Sequence, residues 1–390
     1  MNIVKLYRLN DLFNAELKKQ KLLGASIAVE HHNRRVFQNS YGSDGRDSIY
    51  RIFSMSKPIT TVAVMILYER GLIDLNDSIA KYLPEFQHMK VCNKQGTVDA
   101  KKQITIQSLL NMTSGLVYPG TDTEAEKAMA RLYEEIKQKV KMGREFSSAE
   151  ICNILAQAPL EFEPGERWKY GSSADILGGL VEVVSGQRLS EFFKKELFEP
   201  LEMVDTDFKV KESKLTRLAT MYMRIDEQGH LEVADKKTME ALTLLTFSPI
   251  NPIEEPCFET GGAGLYSTLE DYMHFLRMLV NEGVYNGKEI LGRKTIAFMR
   301  KNQLNQTQRD SIYFDGLAGY GYSNLLRVMV DNTTALSNGS IGEYGWDGLP
   351  GNYFLVDPEE GLIVTYLQQI SQGPDLTVRR AMRQIIYASL

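Results

Sequence analysis

The chain has 390 residues, of which 43% are hydrophobic and 24% charged, and its formal net charge is −5 at pH 7. This composition excludes a disordered or fibrous protein, and the mixed, mildly acidic charge offers no basic field for nucleic acid. The length exceeds that of one typical domain, so we expect two structural units or one domain with a large insertion.

Residues 1–24 predict an amphipathic helix, because leucines recur at helical spacing among Lys, Arg and Asn. The segment lacks the continuous apolar core of a signal peptide, and no later stretch resembles a membrane span. The three cysteines are far apart and odd in number, which is typical of free thiols in a reducing compartment. We therefore expect a cytoplasmic protein, unless an export signal preceded this sequence. Its oligomeric state stays open.

Residues 25–30 and 35–40 predict a β-hairpin, and residues 56–70 predict a helix that is apolar on nearly every face and stops at Gly71. Such a helix belongs in the centre of a molecule. From about residue 75 to 255, helical periodicity and long charged stretches dominate.

Near residue 260 a glycine-rich segment leads into a predicted helix over 269–282. Predicted strands follow at 319–330, 351–356 and 362–368, the last two forming a hairpin, and a helix over 376–388 ends the chain. We therefore predict an α/β (α+β) fold with one antiparallel sheet assembled from both ends of the chain. Residues 1–75 and 256–390 would form the α/β domain with this sheet, and 76–255 an inserted, mainly helical domain.

A serine and a lysine three residues apart, Ser54 and Lys57, stand at the start of the predicted central helix. Positions i and i+3 share a helix face, so the amine can approach the hydroxyl. Pro58 is best tolerated in a first turn, which independently places the helix start near Ser54. The helix N-terminus favours an oxyanion and, with burial, disfavours an ammonium. Lys57 could therefore act as the general base for a nucleophilic Ser54.

A second Ser-x-x-Lys pair, Ser78 and Lys81, shows that the spacing alone is a weak signal. This pair follows Asp74, precedes Pro84 and lies among polar residues, which predicts a helix cap or a solvated helix face. Ser54 differs because it leads into an apolar helix.

Residues 53–57, Phe-Ser-Met-Ser-Lys, resemble the first motif of the serine β-lactamase and DD-peptidase superfamily. The nearest branch comprises the class C β-lactamases with related esterases and D-aminopeptidases. Four further segments resemble this branch in the same order: 71–75, 109–116, 163–165 and 264–268. The similarity covers nearly the whole chain. It implies a β-lactamase/transpeptidase-like fold, an acyl-enzyme mechanism, and no metal or organic cofactor.

The second motif of the family, Tyr-x-Asn, corresponds to Tyr-Gly-Ser starting at Tyr170. The resemblance implies that Tyr170 lies between Ser54 and Lys57 and shuttles a proton from the nucleophile to the leaving group. By itself, the residue could be an ordinary buried tyrosine before a helix capped by Ser173. Ser172 replaces an Asn that bridges the lysine and binds a substrate amide, which argues against efficient β-lactam or peptide recognition.

The third motif, Lys-Thr-Gly in many members, aligns with Trp346, Asp347 and Gly348, and esterase-like members often carry Trp-x-Gly there. By this resemblance the backbone N–H groups of Ser54 and Leu349 form the oxyanion hole. The family lysine would pair with a substrate carboxylate. Trp346 cannot, and Asp347 would repel a carboxylate if it faced the site. Alternatively, Trp346 is a core aromatic residue.

The sequence does not contain the motifs of an α/β-hydrolase triad, a metal site or a nucleotide-binding loop. The chain contains no Gly-x-Ser-x-Gly elbow, and no histidine follows His274 to complete an α/β-hydrolase triad. The five histidines show no metal-ligand spacing beyond the adjacent pair His31 and His32, and residues 261–264 do not match a nucleotide-binding fingerprint.

We therefore predict a serine hydrolase with Ser54, Lys57 and Tyr170 as catalytic residues. The favoured activity is that of a carboxylesterase on a small acyl compound. Two alternatives remain: a β-lactamase, DD-peptidase or D-amino acid peptidase or amidase, and an inactive binding protein of the same fold. The predicted substrate-binding residues are Ser172, Trp346, Asp347, Gly348 and Tyr118, the last placed by its closeness to segment 113–115.

Overall fold

Strands lie near both ends of the chain and helices fill its middle in the computed structural model, which describes residues 1–390. The α-helices are α1 (Ile3–Leu6), α2 (Arg8–Lys18), α3 (Ser56–Glu69), α4 (Ile106–Leu110), α5 (Glu124–Lys141), α6 (Ser148–Leu155), α7 (Ser173–Ser185), α8 (Leu189–Phe193), α9 (Lys236–Thr246), α10 (Leu269–Val280), α11 (Arg293–Met299), α12 (Gln306–Asp310) and α13 (Leu376–Tyr387).

The strands are β1 (Gly24–His31), β2 (Arg34–Gly42), β3 (Ile49–Arg51), β4 (Lys90–Asn93), β5 (Gly96–Asp99), β6 (Tyr222–Arg224), β7 (Leu231–Val233), β8 (Tyr266–Thr268), β9 (Val284–Tyr285), β10 (Lys288–Glu289), β11 (Tyr320–Ser323), β12 (Leu326–Met329), β13 (Tyr344–Asp347), β14 (Tyr353–Asp357) and β15 (Leu362–Gln368).

The main sheet has seven antiparallel strands in the order β11-β12-β13-β14-β15-β1-β2. The first strand of the chain pairs with the last, and Val29 lies opposite Val364. The predicted fold class, an antiparallel sheet assembled from both ends and flanked by helices, is confirmed.

Helices cover both faces of this sheet. On one face, Phe13 of α2 and Met382 of α13 join the apolar side chains of β1, β14 and β15. On the other face α10 packs against the same strands, and the rings of Tyr272 and Phe354 lie 5.3 Å apart. Because both faces are covered, these strands are buried along nearly their whole length rather than at alternate residues. Each side chain buried as fully as Phe13 contributes about 1.5–3 kcal/mol.

Helix α3 runs through the centre of the molecule, as its apolar sequence predicts. Every residue from Ser56 to Leu67 is buried, and Pro58 lies in the first turn. The helix ends before Gly71, whose φ of +68° is the left-handed conformation that closes many helices. Its N-terminal end lies against the main sheet, where the candidate site is found.

The middle of the chain is less uniformly helical than predicted. Two hairpins, β4-β5 and β6-β7, interrupt the helices. The sequence did not predict them, because such short strands are too brief to show an apolar periodicity. The boundaries of an inserted domain at 76 and 255 stay a prediction. Strand β13 was also missed as a separate strand, because it is only four residues long and contains Gly345.

The three cysteines are unpaired, as predicted. No helix in the structure is both long enough and apolar enough to span a membrane.

Candidate active site

A sharp backbone bend presents Ser54 at the start of α3. Strand β3 ends at Arg51, and a 3-10 turn over Phe53–Met55 leads into the helix. Phe53 has a φ of +44°, a left-handed conformation that costs a residue with a Cβ about 1–3 kcal/mol. Ser54 is the one residue between 52 and 67 that is not buried. Backbone strain at this point therefore coincides with the only accessible side chain of the segment.

The hydroxyl of Ser54 lies between an amine and a phenol. Lys57 Nζ is 3.0 Å from Ser54 Oγ, and Tyr170 Oη is 2.7 Å from the same oxygen. The three residues that the sequence predicts to act together therefore meet, although 116 positions separate Ser54 from Tyr170. Both contacts are within the range that proton transfer requires.

Lys57 is fully buried, and its amine has three hydrogen-bond acceptors. They are Ser54 Oγ at 3.0 Å, Tyr118 Oη at 3.1 Å and the Gly262 carbonyl at 2.8 Å. An ammonium has three N–H donors, so this shell satisfies the charged form of the amine completely. The amine also lies 4.7 Å from the centre of the Tyr170 ring, within cation–π range.

Tyr170 is held in an aromatic cluster at the start of α7. The indole N–H of Trp346 donates to Tyr170 Oη at 3.3 Å, and the two rings are 5.5 Å apart. Gly171 permits the close approach of this segment to the neighbouring loop, because a Cβ there would lie 2.1 Å from the Leu116 carbonyl oxygen. Trp346 thus touches the phenol directly.

Asp347 does not reach the site, since neighbouring residues of a strand point to opposite faces. Its carboxylate accepts a hydrogen bond of 2.6 Å from Arg327 and pairs with Arg379 of α13. The structure therefore corrects the assignment of Asp347 to substrate binding. Its negative charge is balanced by the guanidinium groups of Arg327 and Arg379.

The turn after β13 packs against the segment that precedes Ser54. Gly348 packs against the segment before the serine so closely that a Cβ would lie 2.5 Å from the Ile52 carbonyl oxygen. The buried side chain of Asn352 reinforces this contact by donating to the Arg51 carbonyl at 2.9 Å. Neither the N–H of Ser54 nor that of Leu349 donates a hydrogen bond within the protein.

The remaining predicted substrate-binding residues lie differently from expectation. Ser172 is fully buried and donates to the Val117 carbonyl at 3.2 Å, so its hydroxyl is turned away from Lys57. Ser172, rather than Ser173, is the N-cap residue of α7, and its side chain makes no capping bond. Tyr118 contacts the amine of Lys57 itself and thus belongs to the polar group around Ser54.

A buried carboxylate beneath Lys57 was missed from the sequence. Asp175 is 1% exposed and accepts the Gly262 N–H at 2.9 Å. Burial raises its pKa to about 6, against the opposing effects of the Lys57 charge, the Gly262 N–H and the Tyr118 hydroxyl. The available signal was a single acid in the otherwise apolar run 174–181.

The second Ser-x-x-Lys pair behaves as predicted. Ser78 accepts a hydrogen bond from the Ala80 N–H and caps a short 3-10 helix, while Lys81 is 59% exposed and pairs with Asp77. It provides a natural control for Ser54.

Comparisons with known proteins agree on one family. A family model described as Beta-lactamase matches residues 9–388. Protein Rv1367c of Mycobacterium tuberculosis is 31% identical over 348 residues, covering 86% of this chain and 80% of that protein. Esterase EstB of Burkholderia gladioli is 27% identical over 402 residues, covering 98% and 95%. The solved structure of EstCE1, a hydrolase with promiscuous acyltransferase activity, superposes with a TM-score of 0.78 at 23% identity and covers 99% of each chain.

Proposed function

This chain belongs to the beta-lactamase family, and on that premise we propose that it hydrolyses carboxylic esters through an acyl-enzyme formed on Ser54. The observation that carries the proposal is the position of Ser54 Oγ, 3.0 Å from Lys57 Nζ and 2.7 Å from Tyr170 Oη. A partly exposed hydroxyl between two groups that can exchange protons is the arrangement that an activated serine nucleophile needs.

The proposed reaction has two stages. Ser54 Oγ attacks the acyl carbon while its proton passes to the Lys57–Tyr170 pair, and the carbon–oxygen bond to the alcohol then breaks. Tyr170 returns a proton to the departing alkoxide, so the alcohol leaves neutral. Water then attacks the acyl carbon and gives up a proton to the same pair, the bond between the acyl carbon and Ser54 Oγ breaks, Oγ regains a proton, and the carboxylic acid leaves.

The two free backbone N–H groups of Ser54 and Leu349 would hold the oxyanion in both stages. One such donor contributes about 3 kcal/mol of transition-state stabilisation, because it is fixed before the charge develops.

Three features favour an ester over a β-lactam or a peptide. By the motif resemblance, Trp346 takes the place of the family lysine that would bind a substrate carboxylate, and its indole N–H donates to Tyr170 Oη. Ser172 cannot offer the amide contacts of an asparagine, and its hydroxyl is committed to the Val117 carbonyl. A relative that is 27% identical, EstB of Burkholderia gladioli, carries the name esterase.

The first testable prediction concerns the nucleophile. Purified Ser54→Ala protein should lose turnover of p-nitrophenyl esters of short acyl chains by at least about a thousandfold, since only hydrogen bonding and binding remain. Ser78→Ala is the matched control and should retain the wild-type rate. Equal turnover by wild type and Ser54→Ala would refute the proposal.

The same proteins separate the two alternatives. Nitrocefin turnover or D-amino acid amide hydrolysis that is faster than ester turnover would move the assignment to the β-lactamase and peptidase group. Stable labelling by a fluorescent penicillin would do the same. A fluorophosphonate probe that fails to label Ser54 would indicate an inactive binding protein.

A further inference from the structure

Asp175 lies in the first turn of α7, but its carboxylate does not cap that helix. An acid at the third position of a helix often caps the N-cap backbone N–H, but Asp175 Oδ1 bonds to Gly262 instead. Its other oxygen, Oδ2, is buried and has no hydrogen bond of good geometry, although the Tyr118 hydroxyl lies close by. A buried carboxylate that lacks part of its hydrogen bonds destabilises a fold, so the presence of an acid at this position needs an explanation other than stability.

Gly262 connects this carboxylate to the amine of Lys57. Its N–H donates to Asp175 at 2.9 Å, and its carbonyl accepts from Lys57 at 2.8 Å. A Cβ on this residue would lie 2.7 Å from Asp175 Oδ1 and 2.8 Å from Tyr118 Oη, so only glycine fits between the two side chains. The position of the amine beside Ser54 therefore depends on the position of the carboxylate.

The charges around the pair are few. Tyr118 from the loop after α4, Tyr133 from α5 and Cys152 from α6 are the titratable neighbours of Asp175 besides Lys57. Burial raises the pKa of each of these three groups well above its usual value, so all three are neutral near pH 7. Ser54 and Tyr170 are the other groups that face the amine. Lys57 is the one cation in this set, and Asp175 the one acid.

We propose that Asp175 is a positioning residue of the candidate active site, whose carboxylate balances the buried charge of Lys57 and, through Gly262, fixes the amine beside Ser54 Oγ. This inference rests on the proposed function. An anion close to a buried amine favours the protonated form of that amine, and removal of the anion has the opposite effect. The carboxylate thus sets how readily the Lys57–Tyr170 pair takes up and returns the proton of Ser54.

The test is Asp175→Asn, which keeps the shape and the acceptor for Gly262 but removes the charge. In ester hydrolysis by the purified protein, we expect kcat/KM at its plateau to fall about tenfold to a hundredfold, because a weaker base is a weaker catalyst. The midpoint of the rise of kcat/KM with pH should move to lower pH by about one unit, which corresponds to a tenfold change in proton affinity. Asp175→Ala, which also removes the charge, should give the same shift.

Stability separates positioning from a merely structural role. The raised pKa of Asp175 means that folding favours its protonated form, so this group lowers stability as pH rises through about 4 to 6. Asp175→Asn should therefore have a melting temperature at pH 7.5 equal to or above that of the wild type, while it loses activity.

Asp271→Asn is the matched control, since Asp271 is also a buried acid in the third position of its helix. It is bound to the Asp205 N–H and the Thr206 hydroxyl, away from Ser54. Burial raises the pKa of Asp271 as it does that of Asp175, so this variant should also be at least as stable as the wild type at pH 7.5, but it should keep the wild-type activity and pH profile.

Two results would overturn the inference: an unchanged pH profile in Asp175→Asn, or joint loss of stability and activity at an unchanged midpoint. Failure of the proposed function has a different signature, because wild type and Ser54→Ala would then hydrolyse the ester equally.

Discussion

At the scale of single residues, the site combines groups that sequence could and could not identify. Ser54, Lys57 and Tyr170 were predicted because their motifs have fixed spacing and order. The Gly262 carbonyl was not, since a backbone acceptor leaves no trace in side-chain identity. Asp347 was misplaced because a motif position does not tell which face of a strand its side chain occupies.

Tyr170→Phe removes one hydroxyl and leaves the aromatic ring in place. Because that hydroxyl bonds to Ser54 Oγ at 2.7 Å, we expect kcat for a p-nitrophenyl ester to fall about 10²- to 10⁴-fold with little change in KM. Steady-state kinetics of the purified variant will measure both constants.

Tyr322→Phe is the control for this substitution. Tyr322 packs edge-on against Trp346 in the same aromatic cluster, but its buried hydroxyl has no hydrogen-bond partner. Its removal should leave kcat unchanged and stability equal or slightly higher. Comparable losses in the two variants would show that ring packing, and not the Tyr170 hydroxyl, matters for turnover.

At the scale of elements, predictability followed the strength of the pattern. Helix α3 and the strands β1 and β15 were found because long apolar runs leave few alternatives. Strand β13 is as important to the site, yet its four residues include a glycine and carry too little pattern to be recognised. Its place between β12 and β14 comes from long-range pairing.

The junction of β1 with α10 depends on a buried ion-pair network. Glu30 is 1% exposed and accepts hydrogen bonds from Arg277 at 2.9 Å and Arg35 at 2.8 Å. Burial alone would raise the pKa of Glu30, but the two guanidinium groups hold it below its usual range. Both arginines are partly exposed, so we expect Glu30→Gln to lower the free energy of unfolding at pH 7 by about 2 kcal/mol.

The pH dependence of this loss has a definite sign. A carboxylate whose pKa is lowered by folding stabilises the protein above its unfolded pKa, and this stabilisation disappears as pH falls through the folded pKa. The difference between wild type and Glu30→Gln in urea unfolding should therefore shrink between about pH 5 and pH 3. Glu240→Gln, in a 3.9 Å surface pair with Lys236, should stay within about 0.5 kcal/mol of wild type. If the difference in free energy of unfolding between wild type and Glu30→Gln stayed constant over this pH range, the stabilising role of the ion-pair network would be wrong.

At the scale of the whole molecule, the two ends of the chain share one sheet and one apolar layer. Predicted strands lie near both ends of the chain and predicted helices lie between them, which is why a two-ended sheet could be predicted from the sequence. Which helix pair would cover its outer face could not be read in the same way, because amphipathic helices carry no record of their partner. The structure shows that α2 and α13, from opposite ends, fill that place together.

This shared layer predicts that the protein unfolds as one unit. Met382 of α13 is 1% exposed and belongs to the cluster that includes Phe13 of α2 and Val364 of β15. Met382→Ala should lower the free energy of unfolding by about 2–5 kcal/mol, since it leaves a cavity between segments from both ends. Ester hydrolysis and the circular dichroism signal should then be lost in one transition at a lower temperature, although Met382 lies on the face of the sheet opposite α10. Leu336→Ala is the control, because Leu336 is 88% exposed and should not shift the transition. Two separate transitions, with activity outlasting the loss of α13, would show instead that the helix pair is an independent layer on a sheet that folds without it.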